Sequence, residues 1–127
     1  MTAPLRVLDL FSGTQSLTKG FRASGHEVDS LDLDPRFQPT FCVDVLEWDY
    51  QLLPRYDVVW VSCPCGNYSI ARSTAARDLV LADSLLMLTF EVIDWFRPIH
   101  WFIENPAGSY LWTRFKFEIK VLTGYCS

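Results

Sequence analysis

Cys63, Pro64, Cys65 and Gly66 stand together where an apolar run gives way to a polar stretch, in VSCPCGNYS (residues 61–69). Two cysteines around a proline could form part of a metal site, a redox pair, or one reactive thiol held on a sharp turn. Zinc loops put roughly two to four residues between cysteines, and histidines usually complete the set. Here only Pro64 intervenes, and His26 and His100 lie elsewhere in the chain. A redox pair needs Cys-x-x-Cys, which this stretch does not contain. A single nucleophile therefore fits best. Cys65 sits on the loop, where backbone N–H groups favour the reactive thiolate, and Cys63 reads as a packing residue. A second polar motif, Glu104-Asn105-Pro106, closes another apolar run, and a third, DLFSG at residues 9–13, closes the first one.

These residues need elements to hold them. The run LRVLDLF (5–11) reads as a buried strand and SLTKGFRASG (16–25) as a helix ending at Gly25. Further strands are expected at 27–34, 40–45, 56–63 and 99–105, with a long amphipathic helix over 74–96 and a weak helix or irregular tail after it. Strands alternating with helices, and apolar along their whole length, predict a mostly parallel five-stranded sheet with helices on both faces. Ligands of such sheets lie beyond the carboxyl ends of the strands. Five predicted strand ends carry turn or polar residues: Asp9 to Gly13, Asp32 with Asp34, Asp44, Cys63 to Ser69, and Glu104 to Pro106.

The 127 residues predict one domain, residues 1–127, and half of them are apolar, enough for a core. No apolar run approaches the roughly 20 residues of a membrane span. The start has no signal-peptide layout, so the expectation is a soluble, cytoplasmic protein with reduced cysteines. Net charge is −4, a mild argument against a nucleic-acid partner. From Pro106 onward, however, Arg114, Lys116 and Lys120 face only Glu118, so the acidity lies earlier.

The first two strand ends suggest a nucleoside site. Gly13 permits a tight turn into a helix N-terminus. Asp32 follows about 20 residues later, the spacing at which an acid bonds ribose hydroxyls. A full Gly-x-Gly-x-x-Gly is absent, which argues against a dinucleotide. A carboxylate is also a poor neighbour for the phosphates of ATP. A cofactor with ribose and positive charge fits better, and S-adenosylmethionine is one. Asp44 is placed to take the adenine amino group. Gly13 as a plain structural turn and Asp44 as an exposed loop acid are equally open readings.

A thiolate and an acid beside a methyl-sulfonium group suggest methylation at C5 of cytosine. Thiolate attack at C6, with Glu104 at N3, makes C5 nucleophilic, and loss of the C5 proton then expels the thiolate. Such an acid needs a raised pKa. Glu104 as a cap or ion-pair residue is the plainer alternative.

Taken together, DLFSG (9–13), PCGNYS (64–69) and ENP (104–106) resemble the cytosine-C5 DNA methyltransferase family in order and rough spacing, over residues 5 to 106. With LDLDPRF and WFIENP the chain is most similar to short phage forms. The resemblance implies a Rossmann-like class I methyltransferase core. It implies a cofactor pocket of Phe11, Gly13, Thr14, Asp32, Leu33 and Asp44, with Leu33 against the adenine. Cys65 is then the nucleophile and Glu104 the acid, with Pro64, Ser69 and Asn105 on the substrate side. Arg72, after the Cys loop, is placed to contact a phosphate, with surface solvation as the plainer alternative. The target base would be flipped out of DNA, and RNA is open to the same chemistry. No metal is implied.

The chain also departs from the family. Gln15 and Ser16 replace two usual glycines and are expected to crowd the methionine end of the cofactor. The arginine-containing motif, later strands and recognition region have no counterpart, as in a chain truncated after ENP. Self-association through an exposed sheet edge is therefore expected. Two other readings stand beside the enzyme: a cofactor-binding or interaction module without turnover, and attack on a free pyrimidine nucleotide, which lacks its arginine cluster here.

Overall fold

The computed structural model describes residues 3–62 and 79–104. Five strands, β1 (Arg6–Leu10), β2 (Glu27–Asp32), β3 (Phe41–Cys42), β4 (Val58–Val61) and β5 (His100–Ile103), form one sheet in the order β3-β2-β1-β4-β5. Every pairing is parallel. Two helices, α1 (Ser16–Ala23) and α2 (Leu79–Phe96), make the crossovers β1 to β2 and β4 to β5. This is the Rossmann-like architecture, with the order reversing between β1 and β4.

Alternation along the strands decides which helix covers which face. Val7, Val28 and Val58 lie side by side in the sheet and pack with Phe21 of α1. Leu8, Leu10, Leu31, Val59 and Val61 point to the opposite face and pack with α2. That second cluster is the main core. From α2 it takes Ala82, Leu86, Phe90, Ile93 and Phe96, a stripe at helical spacing. Burying a Leu or Val fully contributes roughly 1.5–3 kcal/mol each, so this face supplies most of the apolar stabilisation. Helix α1 ends as Gly25 turns into left-handed backbone (φ 88°), which glycine adopts at no steric cost.

The centre of the sheet is non-local. β1 is flanked by β2 and by β4, and the Arg6 amide donates to Asp57 Oδ2 at 2.9 Å across 51 residues. The expected segments all appear, with shorter boundaries. The third strand is the clearest correction: only Phe41 and Cys42 pair with β2, where 40–45 was expected. Asp44 leaves the strand early because its carboxylate accepts the Leu46 amide (3.0 Å) and caps a short 3₁₀ turn, Val45–Glu47. Similarly β2 stops at Asp32, and Asp34 caps the 3₁₀ turn Pro35–Phe37. Of the helix expected at 74–96, the part before Leu79 lies outside the described residues, as does the tail. Among the described residues no helix is long and apolar enough to cross a membrane.

Leu86 is fully buried, whereas its neighbour Met87 is 42 % exposed. Leu86→Ala is expected to cost about 3 kcal/mol, and Met87→Ala less than about 1 kcal/mol. Urea midpoints of the two variants would measure this. Equal losses would place the core on another face of α2.

Candidate functional site

Between β1 and α1 the chain must reverse within five residues. It does so with three residues of positive φ: Phe11 (59°), Gly13 (52°) and Gln15 (63°). Left-handed backbone costs a non-glycine residue roughly 1–2 kcal/mol, so Phe11 and Gln15 need compensation from their surroundings. Several bonds provide it. Ser12 N–H donates to Leu31 O (3.0 Å) and Gln15 N–H to Ser12 O (2.9 Å). Gly13 N–H donates to Asp32 Oδ2 (2.8 Å). Below the turn, Thr18 Oγ1 donates to Asp9 Oδ2 at 2.6 Å, and both residues are buried. Burial pushes the Asp9 carboxyl above its ordinary range, and the nearby Asp32 charge adds to this; the Thr18 hydrogen bond offsets part of it.

Asp32 is the hinge of this rim. Its Oδ1 accepts the Asp34 amide (2.9 Å) while Oδ2 accepts that of Gly13. A carboxylate has about four lone-pair sites, so two remain for hydroxyl groups from outside. Beside it opens a cavity of about 330 Å³, lined by Phe11, Leu31, Asp32, Leu33, Val43, Asp44, Val45, Ser62, Leu81 and Leu85. The volume is at the small end of the roughly 300–1,000 Å³ typical of small-molecule pockets. Most of these side chains are apolar, and Asp32 and Asp44 are the two charged ones. Leu33 is 66 % exposed and Leu81 43 %, which leaves apolar surface at the mouth for a flat ring to cover.

The cavity lies beyond the carboxyl ends of β1, β2, β3 and β4. It brings together Phe11, Asp32, Leu33 and Asp44. Gly13 does not line it but holds Asp32 through its amide. Thr14 is exposed, lies within hydrogen-bond reach of Ser16 (Oγ1 to Oγ, 3.2 Å), and faces a different groove. Glu104 is exposed at the end of β5, with its amide donating to Val61 O (2.8 Å). Cys65, Pro64, Ser69, Arg72 and Asn105 lie outside the described residues.

Six lining residues escaped the sequence reading, Leu31, Val43, Val45, Ser62, Leu81 and Leu85, five of them apolar. Val43, Leu81 and Leu85 are apolar positions that only the docking of α2 onto the sheet turns into walls. Ser62, one residue past β4, was accessible to the rule that ligands meet strand ends.

The expected crowding by Gln15 is corrected by the structure. Its side chain is buried and tied to Phe37 O and Ser30 Oγ, outside the cavity. Gln15 instead borders a second groove, of about 440 Å³, with Thr14, Lys19, Arg22, Arg36, Phe37 and Gln38. One buried hydroxyl at the rim, that of Ser12, has no hydrogen-bond partner among the described residues.

The raised Asp9 carboxyl makes a pH-dependent contribution. Between the unfolded value near 4 and the raised folded value, the native state holds a proton that the unfolded chain releases. Stability therefore falls as pH rises through that window. Asp9→Asn keeps an acceptor for Thr18 and removes this slope, which urea midpoints from pH 3 to 8 would show. Parallel profiles for the two proteins would contradict it.

No protein-family model matches the chain. A probable DNA (cytosine-5)-methyltransferase of Frog virus 3 (isolate Goorha) is 37 % identical over 118 residues. The match covers 80 % of this chain and 54 % of that protein, so the chain spans about half the length of the relative.

Proposed function

Since the chain belongs to the cytosine-C5 DNA methyltransferase family, we propose that its cavity binds S-adenosylmethionine and that it serves methyl transfer to C5 of cytosine in DNA. The observation that carries this reading is the pairing of Asp32, with two lone-pair sites left for ribose hydroxyls, and an apolar slot beside it of about 330 Å³. Leu33, Val43, Leu81 and Leu85 suit the faces of an adenine, and Asp44 its amino group. On this reading the 127 residues form one domain.

S-adenosylmethionine, when bound, supplies an electrophilic methyl group. The chain's own residues then prepare the base, which must leave the stack to be reached. Cys65, as thiolate, forms a bond to C6 while Glu104 holds a proton at N3. The electron density released makes C5 nucleophilic. Once C5 has been methylated, removal of its proton restores the ring double bond and breaks the Cys65–C6 bond, returning the thiolate. Pro64, Ser69, Asn105 and Arg72 would serve the substrate side.

A second reading keeps the cofactor site without turnover, as a binding module. The net charge of −4 favours it, because DNA binding rewards Lys and Arg. Of the cations bordering the second groove, Lys19, Arg22 and Arg36, the last is already paired with Asp34 at 2.6 Å.

One pair of variants separates the readings. Calorimetric titration with S-adenosylhomocysteine is expected to show saturable binding, weakened about tenfold or more by Asp32→Ala. Cys65→Ala is expected to leave that binding intact and to abolish transfer of labelled methyl groups to cytosine-containing DNA. Binding without transfer in the unaltered chain would favour the module. No binding by a folded chain would remove both readings.

A further inference from the structure

Gln15 occupies a position where a side chain is costly, and it spends that side chain away from the cavity. Its backbone is left-handed (φ 63°, ψ 28°) at the N-terminal boundary of α1, where its side chain makes no cap bond. Only 8 % of the residue is exposed. Its amide is nevertheless used at both ends: Nε2 donates to Phe37 O, and Oε1 accepts from Ser30 Oγ at 3.0 Å. Ser30 is itself fully buried in β2 and locked to Thr40, its amide donating to Thr40 Oγ1 (2.9 Å) and its hydroxyl accepting the Thr40 amide (3.0 Å). One side chain from the β1–α1 turn thus reaches under both β2 and the segment that follows it.

That connection matters because both segments contribute to the lining of the cavity. The turn contributes Phe11 and, through the Gly13 amide, fixes Asp32. The segment after β2 carries Leu33 and leads to the 3₁₀ turn containing Phe37. The bond between Gly13 and Asp32 joins them at the rim, and the Gln15 amide joins them again underneath, on the α1 face of the sheet. With the Ser12 N–H bond to Leu31 O also at the rim, the Gln15 amide adds the attachment underneath, and bonds at both levels fix an orientation that rim bonds alone leave free to rock. A buried polar group with both ends satisfied is rigid, since any movement that breaks one bond leaves an unpaired group in a low-dielectric interior.

We propose that Gln15 is the positioning residue of the cofactor cavity, a staple that holds the β1–α1 turn against the segment after β2 and so presets the Gly13–Asp32 geometry for a ribose. This rests on the cofactor reading for its ligand, though not for its mechanical part.

The test uses the full chain with Gln15→Gly, Gln15→Glu and Ser30→Ala. Glycine suits the left-handed backbone, so its effect reports the lost side chain and not new strain. Glutamate matches the shape and still accepts from Ser30 Oγ, but when ionised it has no donor for Phe37 O. Circular dichroism first fixes a temperature at which each protein is folded. There, Gln15→Gly and Gln15→Glu are expected to weaken S-adenosylhomocysteine binding about tenfold and to speed hydrogen exchange of the Gly13 amide by a similar factor. Ser30→Ala moves both in the same direction by less, and stands in for any Gln15 variant that does not fold. Wild-type affinity and unchanged Gly13 exchange in Gln15→Gly would overturn the staple. Should the unaltered chain fail to bind, the cofactor reading falls, and the Gly13 exchange rates alone still decide the role of Gln15.

Discussion

The carboxylate of Asp32 accepts two backbone amides from opposite directions, Gly13 at 2.8 Å and Asp34 at 2.9 Å. One side chain therefore sets both the turn that leaves β1 and the bend that leaves β2. With Asp32 so held, Phe11 and Leu33 line the same opening, and the cavity has a fixed edge. The left-handed residues of the turn persist because this bond and the Ser12 and Gln15 contacts over-determine their conformation. A site assembled from strand ends needs such a joint, because strands position backbone well but leave the connecting loops to be ordered by whatever they touch.

Much of the architecture was legible before any coordinates. Strand patterns alternating with helix patterns, with Ser12-Gly13 and Asp34-Pro35 closing the first two strands and Pro98 the long helix, made the parallel sheet and the polar residues at its carboxyl ends legible, although β2, EVDSLD, is itself largely polar. Asp32 was legible from its distance to Gly13. The boundaries were less so. Asp44 looked like the end of a strand, whereas its carboxylate prefers the Leu46 amide and ends pairing after Cys42. The side chain of Gln15 is hard to place from sequence, because sequence order sets it in the β1–α1 turn, while the left-handed backbone turns it beneath the sheet rim. The apolar walls from α2 were illegible for a different reason. Leu81 and Leu85 differ from other leucines of the helix only in what the docked sheet puts opposite them.

Family membership and geometry support different parts of the functional reading. Similarity to a viral cytosine-5 methyltransferase over 80 % of the chain speaks to ancestry and chemistry. The cavity speaks to a ligand with one flat apolar part and one hydroxyl-bearing part. The two meet at Asp32 and Leu33. The chain leaving β4 and β5 is anchored by the amides of Ser62 and Glu104, which continue the ladder to Leu10 O and Val61 O.

The seam between β1 and β4 has a consequence for how the chain acquires its structure. β1, α1 and β2 are neighbours in sequence and can associate early. Insertion of β4 against the far side of β1 must close a loop of about fifty residues first, a slow step in the scaling of folding rates with contact order. The cavity spans that seam, with Phe11 and Asp32 on one side and Ser62, Leu81 and Leu85 on the other. A ligand seated there grips an early-folding and a late-folding part together. A ligand there would bind only once both parts have come together, and so would favour the assembled state over the half-assembled one.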